Sequence, residues 1–163
     1  METTVDIRNE DIEASTYETA APRPAPALDP ASKILVVDDE PTVQGFVVRV
    51  LTRQGFTCLT ASNAAEAIAM AIKERPRLTI TDIRMPGCDG TWLLTQLKEQ
   101  CPEMAVVMLS AVSEARTAVD CLRAGADDYL VKPINIEELI GSTERSLDRA
   151  SRRDEGVDPT TVG

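Results

Sequence analysis

Short apolar runs alternate five times with amphipathic stretches along this chain of 163 residues. The runs are rich in β-branched residues and apolar on both faces, which is typical of strands buried between two layers of helices. Because right-handed crossovers place helices on both sides of such strands, the pattern predicts an α/β fold with a doubly wound parallel sheet. The predicted strands are Lys33–Val37, Thr57–Thr60, Leu78–Thr81, Ala105–Leu109 and Tyr129–Val131.

Helical periodicity in the segments that follow the strands predicts five helices. The first should end at Gly55, and Asn63 and Asn135 are suited to cap the second and the fifth. The fourth helix has the least apolar stripe, so it should be among the most weakly packed. Its inner stripe is assigned to Ala115, Ala118, Val119 and Leu122. The inner stripe of the first helix is assigned to Val43, Phe46, Val47, Val50 and Leu51. That of the third helix is assigned to Trp92, Leu93, Leu94 and Leu97, and that of the fifth helix to Ile136, Leu139, Ile140 and Leu147.

The composition of the chain changes near residue 31. Residues 1–31 carry seven acidic and two basic residues, and the stretch PRPAPALDP ends the segment. Isolated apolar residues cannot offset the entropy of ordering, so this segment is predicted to be a disordered acidic tail with a stiff, proline-rich end. It is either a solvated leader or a docking segment around Ile7, Ile12 and Tyr17. Residues 32–150 are predicted to form the folded domain, and residues 151–163 a flexible tail.

Charge and residue types exclude several classes of function. The net charge of −10 disfavours nucleic acid and anionic membrane as partners. There is no apolar run of the roughly 20 residues that a membrane-spanning helix needs, and no secretion signal, so a cytoplasmic location is expected. The absence of histidine removes Ser-His-Asp and Cys-His catalysis.

Polar residues directly follow four of the predicted strands. Open parallel sheets bind ligands at the carboxyl ends of their strands, so these residues should meet at one edge. Taken singly, each is more often a turn, a cap or a solvated side chain. Their joint placement favours a functional site. The residues are Asp38 and Asp39, Asp82, Ser110, and Lys132 with Pro133.

The residue types at this edge suit phosphoryl chemistry. Clustered carboxylates are the surroundings that a hard cation such as Mg²⁺ prefers. Asp82 is a plausible nucleophile toward a phosphoryl group, forming an acyl phosphate, once a metal offsets the repulsion between anions. Lys132 and the hydroxyl of Ser110 are suited to contact phosphoryl oxygens.

With these residues in place, the chain resembles the receiver domain of bacterial two-component response regulators. The resemblance covers residues of about 32–150 and rests on ILVVDDEP, ITDIRMPGCDG, MLSA and AGADDYLVKP, in that order. It implies a flavodoxin-like (βα)₅ fold with strand order 2-1-3-4-5. It also implies that a sensor histidine kinase or a phosphotransfer protein supplies the phosphoryl group, and that Asp82 accepts it.

The resemblance also assigns roles to individual residues. It implies that Asp39 and Asp82 bind Mg²⁺ through their side chains, that Asp38 helps through water, and that Arg84 contributes its backbone carbonyl. Lys132 would contact the phosphoryl group, and Ser110 and Tyr129 would form the switch pair. Without the resemblance, Tyr129 reads as an ordinary half-buried strand residue. The Lys132–Pro133 bond is expected to be cis, which costs an X-Pro bond only about 0.5–1 kcal/mol.

Two other classes of protein remain alternatives. An aspartate-nucleophile phosphatase of the haloacid-dehalogenase type would need a second acid two residues after the nucleophile, where this chain has Arg84. A structural adaptor that works without phosphorylation would not need the acidic pocket or Lys132.

The expected output is contact with a protein partner rather than catalysis or DNA binding. Only 31 residues follow Lys132, and no helix-turn-helix fits into them. The chain is therefore expected to be a stand-alone receiver that signals through the face of the fourth helix, fifth strand and fifth helix, with a phosphorylation-dependent dimer as an option. A fragment of a longer regulator would show the same features.

Overall fold

The structure, a computed structural model, describes residues 32–111 and 115–154. The predicted N-terminal tail and residues 155–163 lie outside this part of the chain. The five main strands are β1 (Lys33–Val37), β2 (Thr57–Ala61), β3 (Leu78–Asp82), β4 (Ala105–Ser110) and β5 (Asp128–Val131). The helices are α1 (Pro41–Arg53), α2 (Ala64–Glu74), α3 (Gly90–Gln100), α4 (Ala115–Arg123) and α5 (Ile136–Asp154).

The five strands form one parallel sheet in the order β2-β1-β3-β4-β5, which confirms the predicted fold and strand order. Buried residues of α2, α3 and α4 share one apolar cluster on one face of the sheet. Buried residues of α1 and α5 share a second cluster on the other face. The strand order reverses beside β1, so the carboxyl ends of β1 and β3 flank the crevice where ligands of such sheets bind.

Local signals fix the ends of the helices as the sequence predicted. Gly55 follows α1 with φ +97, a left-handed conformation that favours glycine. The side chain of Asn63 accepts a hydrogen bond from the Glu66 amide at 2.9 Å, and Asn135 caps α5 in the same way through the Glu138 amide at 3.0 Å.

Four assignments to the inner helix stripes are wrong. Trp92, Val119, Leu122 and Ile136 are 50%, 46%, 42% and 49% exposed. On α4 the fully buried positions are instead Ala118 and Cys121. The small Ala118 and Cys121 side chains are the ones that face the neighbouring elements, and the larger apolar residues of α4 are left facing outward.

Two further features differ from the expected boundaries. Arg84–Met85 and Cys88–Asp89 form a two-residue antiparallel hairpin between β3 and α3 that the sequence did not predict. Helix α5 continues to Asp154, past the expected end of the domain. Its last turns are held by Arg153, which pairs with Asp127 at 2.9 Å. Within the described ranges, no helix is both long and apolar enough to cross a membrane.

Candidate functional site

The end of β1 delivers two carboxylates with different surroundings. Asp38 is buried, with 1% exposure, whereas Asp39 is exposed. One carboxylate oxygen of Asp38 accepts a hydrogen bond from the Glu40 amide at 2.9 Å. This bond fixes the Asp38 side chain where the chain turns from β1 into α1.

Gln44, in the first half of α1, ties this turn to the neighbouring strand. Its side-chain amide donates to the carbonyl of Asp38 at 3.2 Å and to the carbonyl of Ala61 at 3.0 Å. The Asp38 amide also donates to the Ala61 carbonyl, at 3.2 Å. The backbone that carries the acidic pair is therefore fixed both by the Gln44 side chain and by the end of β2. Sequence analysis did not single out Gln44, because its partners are backbone carbonyls that leave no mark in the sequence.

The end of β3 brings Asp82 to the same place. Asp82 is 6% exposed, and one of its carboxylate oxygens accepts a hydrogen bond from the Arg84 amide at 3.1 Å. One carboxylate oxygen from each of Asp38, Asp39 and Asp82 lies within 4.8 Å of the others. The predicted acidic cluster therefore exists as a group in space.

The donor set of this cluster fits a magnesium ion. Mg²⁺ takes oxygen ligands at about 2.1 Å in octahedral geometry, so two of its ligands lie at most about 4.2 Å apart. Carboxylate oxygens within 4.8 Å of one another need only small side-chain rotations to reach such distances. Asp39 is exposed and so leaves one side of the group open to solvent.

Lys132 supplies the positive charge of the site. Its ammonium nitrogen lies 2.8 Å from Asp82, 3.5 Å from Asp38 and 3.8 Å from Glu40. Its backbone amide donates to the Ser110 carbonyl at 2.7 Å, and the Lys132–Pro133 bond is cis. Partial burial opposes the charge on Lys132, but the hydrogen bond to Asp82 and the nearby carboxylates outweigh it and raise the pKa of Lys132 above its usual value.

The balance is different for Asp38. Burial raises the pKa of Asp38 above its usual value, and the nearby charge of Asp82 acts in the same direction. The Glu40 amide and Lys132 oppose this shift without cancelling it. In the protein without a bound cation, the ionised form of Asp38 is therefore less favourable than it is in water, and a bound cation would offset this difference.

The two residues expected to form the switch pair lie on β4 and β5. Ser110 is fully buried, and its hydroxyl donates to the carbonyl of Ala111 at 2.8 Å. Tyr129 is half-buried and packs against the apolar cluster of α2, α3 and α4. In this arrangement the Ser110 hydroxyl is engaged by the backbone and not by a site carboxylate.

A short hairpin follows Asp82 directly. Gly87 turns it with φ +75, a conformation that favours glycine. The Gly90 amide donates to the Ile83 carbonyl at 2.8 Å. A Cβ atom on Gly90 would lie only 2.5 Å from that carbonyl oxygen. The close approach folds the loop back onto the end of β3 and holds the Arg84 amide beside Asp82.

These groups together can stabilise the transfer of an anionic group to Asp82. A carboxylate oxygen is the available nucleophile, Lys132 offers a countercharge in contact with it, and the acidic cluster offers oxygen ligands for a cation. Asp38, Asp39, Asp82 and Lys132 meet at one edge of the sheet, and Ser110 lies beside them with its hydroxyl turned to the backbone. Tyr129, also a predicted site residue, packs instead against the apolar cluster of α2, α3 and α4.

Comparison with known proteins agrees with this geometry. Residues 34–144 match a family described as the response regulator receiver domain. The chain is 38% identical over 114 residues to the DNA-binding transcriptional regulator NtrC of Escherichia coli, which covers 70% of this chain and 24% of that protein. It is 39% identical over 127 residues to the nitrogen assimilation regulatory protein NtrX of Azorhizobium caulinodans, covering 77% of this chain and 28% of that protein.

Solved structures give the same fold. The crystal structure of the receiver domain of NtrX from Brucella abortus superposes with a TM-score of 0.69 at 40% identity. That superposition covers 71% of this chain and 98% of the solved one. The chain spans about a quarter of the length of the curated relatives, with 24% and 28% of NtrC and NtrX aligned.

Proposed function

The chain belongs to the response regulator receiver domain family of two-component systems, and from this membership we propose that it accepts a phosphoryl group on Asp82. The donor is the phosphohistidine of a sensor kinase or of a phosphotransfer protein. The observation that carries the proposal is the setting of Asp82, a buried carboxylate in contact with Lys132 and grouped with Asp38 and Asp39. The chain acts as a signalling module and not as an enzyme that turns over a metabolite.

The transfer exchanges one bond for another. A carboxylate oxygen of Asp82 attacks the phosphorus, a P–O bond forms, and the P–N bond to the donor histidine breaks. The electron pair of the broken bond stays on the histidine nitrogen, and the product on this chain is an acyl phosphate. Lys132 lies 2.8 Å from Asp82 and can follow the negative charge from the carboxylate to the phosphoryl oxygens.

Asp39 and Asp82 would hold Mg²⁺ through their side chains, Asp38 would assist through water, and Arg84 would offer its backbone carbonyl. When bound, the cation neutralises the carboxylates and polarises the phosphoryl oxygens. Burial makes the ionised form of Asp38 costly, which supports a cationic occupant of this pocket.

Ser110 and Tyr129 report the phosphoryl group to the rest of the domain. The Ser110 hydroxyl exchanges the Ala111 carbonyl for a phosphoryl oxygen, and Tyr129 moves into the space that Ser110 leaves. Both residues lie on the last two strands, so the change reaches the α4-β5-α5 face. Exposed apolar side chains on α4 and at the start of α5 support this face as the surface for a protein partner, namely Val119, Leu122 and Ile136.

Labelling with acetyl phosphate and Mg²⁺ tests the assignment of Asp82. Intact-mass measurement should show the addition of one phosphoryl group to the protein, and a chelator should prevent it. Asp82→Asn should abolish the addition, whereas the control Asp89→Asn, in the same loop, should keep it. Addition to Asp82→Asn at the level of the unmodified chain would contradict the proposal.

Other parts of the expected output stay predictions. The curated relatives are longer than this chain and include a protein named as a DNA-binding regulator. The stand-alone action of the chain, its cytoplasmic location and its contact with protein rather than nucleic acid are therefore proposals. A pull-down with the phosphorylated and unphosphorylated full chain would identify the partner.

A further inference from the structure

The edge of the sheet opposite the candidate site collects positive charge. All five helices run back from the carboxyl ends of the strands, so their last turns meet at the edge where the strands begin. The last turn of α5 carries two basic residues, and the last turn of each of the other four helices carries one. These six residues are Arg53, Lys73, Lys98, Arg123, Arg152 and Arg153.

Three more basic residues lie on the same side, since Lys33 begins β1 and Arg75 and Arg77 stand between α2 and β3. We call these nine residues the basic edge. The acidic residues of the same region are fewer, namely Glu74, Glu99, Glu103, Asp127, Asp148 and Asp154. Arg149 also lies here, since its side chain donates to the Asp127 carbonyl, so ten basic residues stand against six acidic ones, although residues 32–154 as a whole carry 15 basic and 18 acidic residues.

Several members of the basic edge are available at the surface. Arg53, Lys73, Arg75, Arg123 and Arg152 are all exposed. Arg152 is 54% exposed although it pairs with Asp148 at 3.1 Å. Exposed pairs of this kind are weak, and a second carboxylate can share or replace the first. Lys98 and Arg153, in contrast, are engaged by the buried Asp127 and hold the fold together.

The N-terminal segment enters the fold at this edge. Ser32 is buried directly before β1, and the Lys33 carbonyl accepts a hydrogen bond from the Arg77 amide at 2.9 Å. The Arg77 side chain reaches Ser151 on the last turns of α5 at 3.3 Å. Segment 1–31 therefore joins the fold at the edge where the strands begin, next to Lys33 and its partner Arg77.

Residues 1–31 have the opposite charge to that edge. They carry seven acidic and two basic residues, a net charge of −5. Asp29 stands three positions before Ser32 and so lies within about 10 Å of it, and Glu18 can reach about 50 Å. Covalent attachment gives such a segment an effective concentration on the order of millimolar at a nearby surface.

We propose that the acidic residues of segment 1–31 dock on the basic edge of the same molecule. The contact is electrostatic and weakens with salt, because the exposed basic residues stay solvated. It occupies the pole of the domain opposite to Asp82. The proposal is independent of the phosphorylation chemistry, since none of its residues lies at the acidic cluster.

Nuclear magnetic resonance of the isotope-labelled full chain tests the docking. Raising NaCl from about 10 mM to about 1 M shortens the screening length from about 30 Å to about 3 Å. Amide signals of residues 6–18 should then shift, and those of Arg53 and Arg152 should shift with them. The double variant Arg53→Gln/Arg152→Gln at low salt should move the signals of residues 6–18 part of the way to their high-salt positions.

A matched control separates docking from a general change in charge. Arg49→Gln/Arg116→Gln removes two exposed arginines outside the basic edge and should leave the signals of residues 6–18 in place. Equal shifts in both double variants, or no response to salt and to the edge variant, would overturn the proposal. Shifts that grow with protein concentration would place the segment on a second copy and also overturn it.

Discussion

Asp38 shows how a single ionised residue of the site can lower the stability of the folded protein. The carboxylate is buried and its pKa is raised, so ionised Asp38 destabilises the folded protein in the absence of a cation. A sequence can place an acid at the end of a strand, but the cost depends on how deeply the fold buries it. Asn has nearly the same shape as Asp and can still accept the hydrogen bond from the Glu40 amide.

Asp38→Asn is therefore expected to stabilise the protein when divalent cations are chelated. The gain in the free energy of unfolding at pH 7 should be about 0.5–2 kcal/mol, the usual range for stabilising substitutions. The folded-state pKa of Asp38 lies above the unfolded value of 3.8, so the destabilisation caused by ionised Asp38 reaches its full value at pH values above the folded-state pKa. It disappears as the pH falls through the folded pKa and below 3.8, and the gap between variant and parent should close there.

Urea unfolding followed by circular dichroism at several pH values measures this difference. The exposed neighbour supplies the control, since Asp39→Asn should change the stability by less than about 0.5 kcal/mol. A chelated Asp38→Asn protein that is less stable than its parent at pH 7 would contradict the interpretation.

Gly90 occupies a position at which the fold leaves no space for a side chain. A Cβ atom there would lie 2.5 Å from the Ile83 carbonyl oxygen and 2.6 Å from the Ile83 Cα atom. Gly90→Ala should cost about 1–3 kcal/mol, as overpacking usually does, because only backbone atoms are available to move. It should also slow phosphorylation, since the displaced loop carries the amide that binds Asp82.

The chain offers a matched glycine for comparison. Gly45 lies within α1, and a Cβ atom there would meet nothing within 4 Å. Gly45→Ala should raise the stability by about 0.5–1 kcal/mol, as expected for a helix interior. Thermal unfolding of both variants checks the pair, and equal effects of the two substitutions would count against the role assigned to the Gly90 contact.

At the scale of elements, Asp127 joins parts of the chain that are far apart in sequence. Its carboxylate accepts hydrogen bonds from the Val106 amide at 2.8 Å, from Lys98 on α3 at 3.3 Å and from Arg153 on α5 at 2.9 Å. The Asp127 side chain is only 5% exposed. The end of α5 is thereby fixed to β4 and α3.

Asp127→Ala should destabilise the protein by about 3–5 kcal/mol, because it leaves two partly buried cations without their carboxylate. The pKa of Lys98 is already lowered, mainly by burial, although Asp127 opposes the shift. Denaturant unfolding checks the value. The control Asp148→Ala removes an exposed pair with Arg152 and should cost less than about 1 kcal/mol. Similar costs for the two variants would show that Asp127 does not hold α5 in place.

At the scale of the whole molecule, the two edges of the sheet collect charges of opposite sign. The carboxyl edge carries the acidic cluster, and the opposite edge collects the basic ends of the helices. Between them, α4 is held to the sheet by two small buried residues, Ala118 and Cys121, while its larger apolar residues face outward. This weak attachment supports α4 as the element that moves when the site is modified.

Hydrogen exchange with and without beryllofluoride, a phosphoryl mimic, tests this movement. Exchange over residues 115–140 should change if, as proposed, a group on Asp82 draws Ser110 and Tyr129 with it. The coupling between the site and a partner on this face should be about 1–3 kcal/mol. Changes confined to the acidic pocket, with residues 115–140 unaltered, would contradict the mechanism.

The sequence by itself determined the fold class and, through the resemblance, the strand order, and it predicted which polar residues stand at the ends of the strands. Strand and helix periods, the caps at Asn63 and Asn135 and the left-handed Gly55 are local properties, so they can be predicted residue by residue. The parallel sheet then brings the polar ends of β1, β3, β4 and β5 to one edge, whatever the details of packing.

Only the tertiary structure decided how these parts touch. The contact of Lys132 with Asp82, the Gly90 approach to Ile83 and the Asp127 bridge join residues that are not adjacent in the chain. The exposure of Trp92, Val119 and Leu122 likewise depends on which side of each helix its neighbours cover. An apolar residue near the inner stripe is buried only where the neighbouring elements cover it, and local periodicity does not record where they lie.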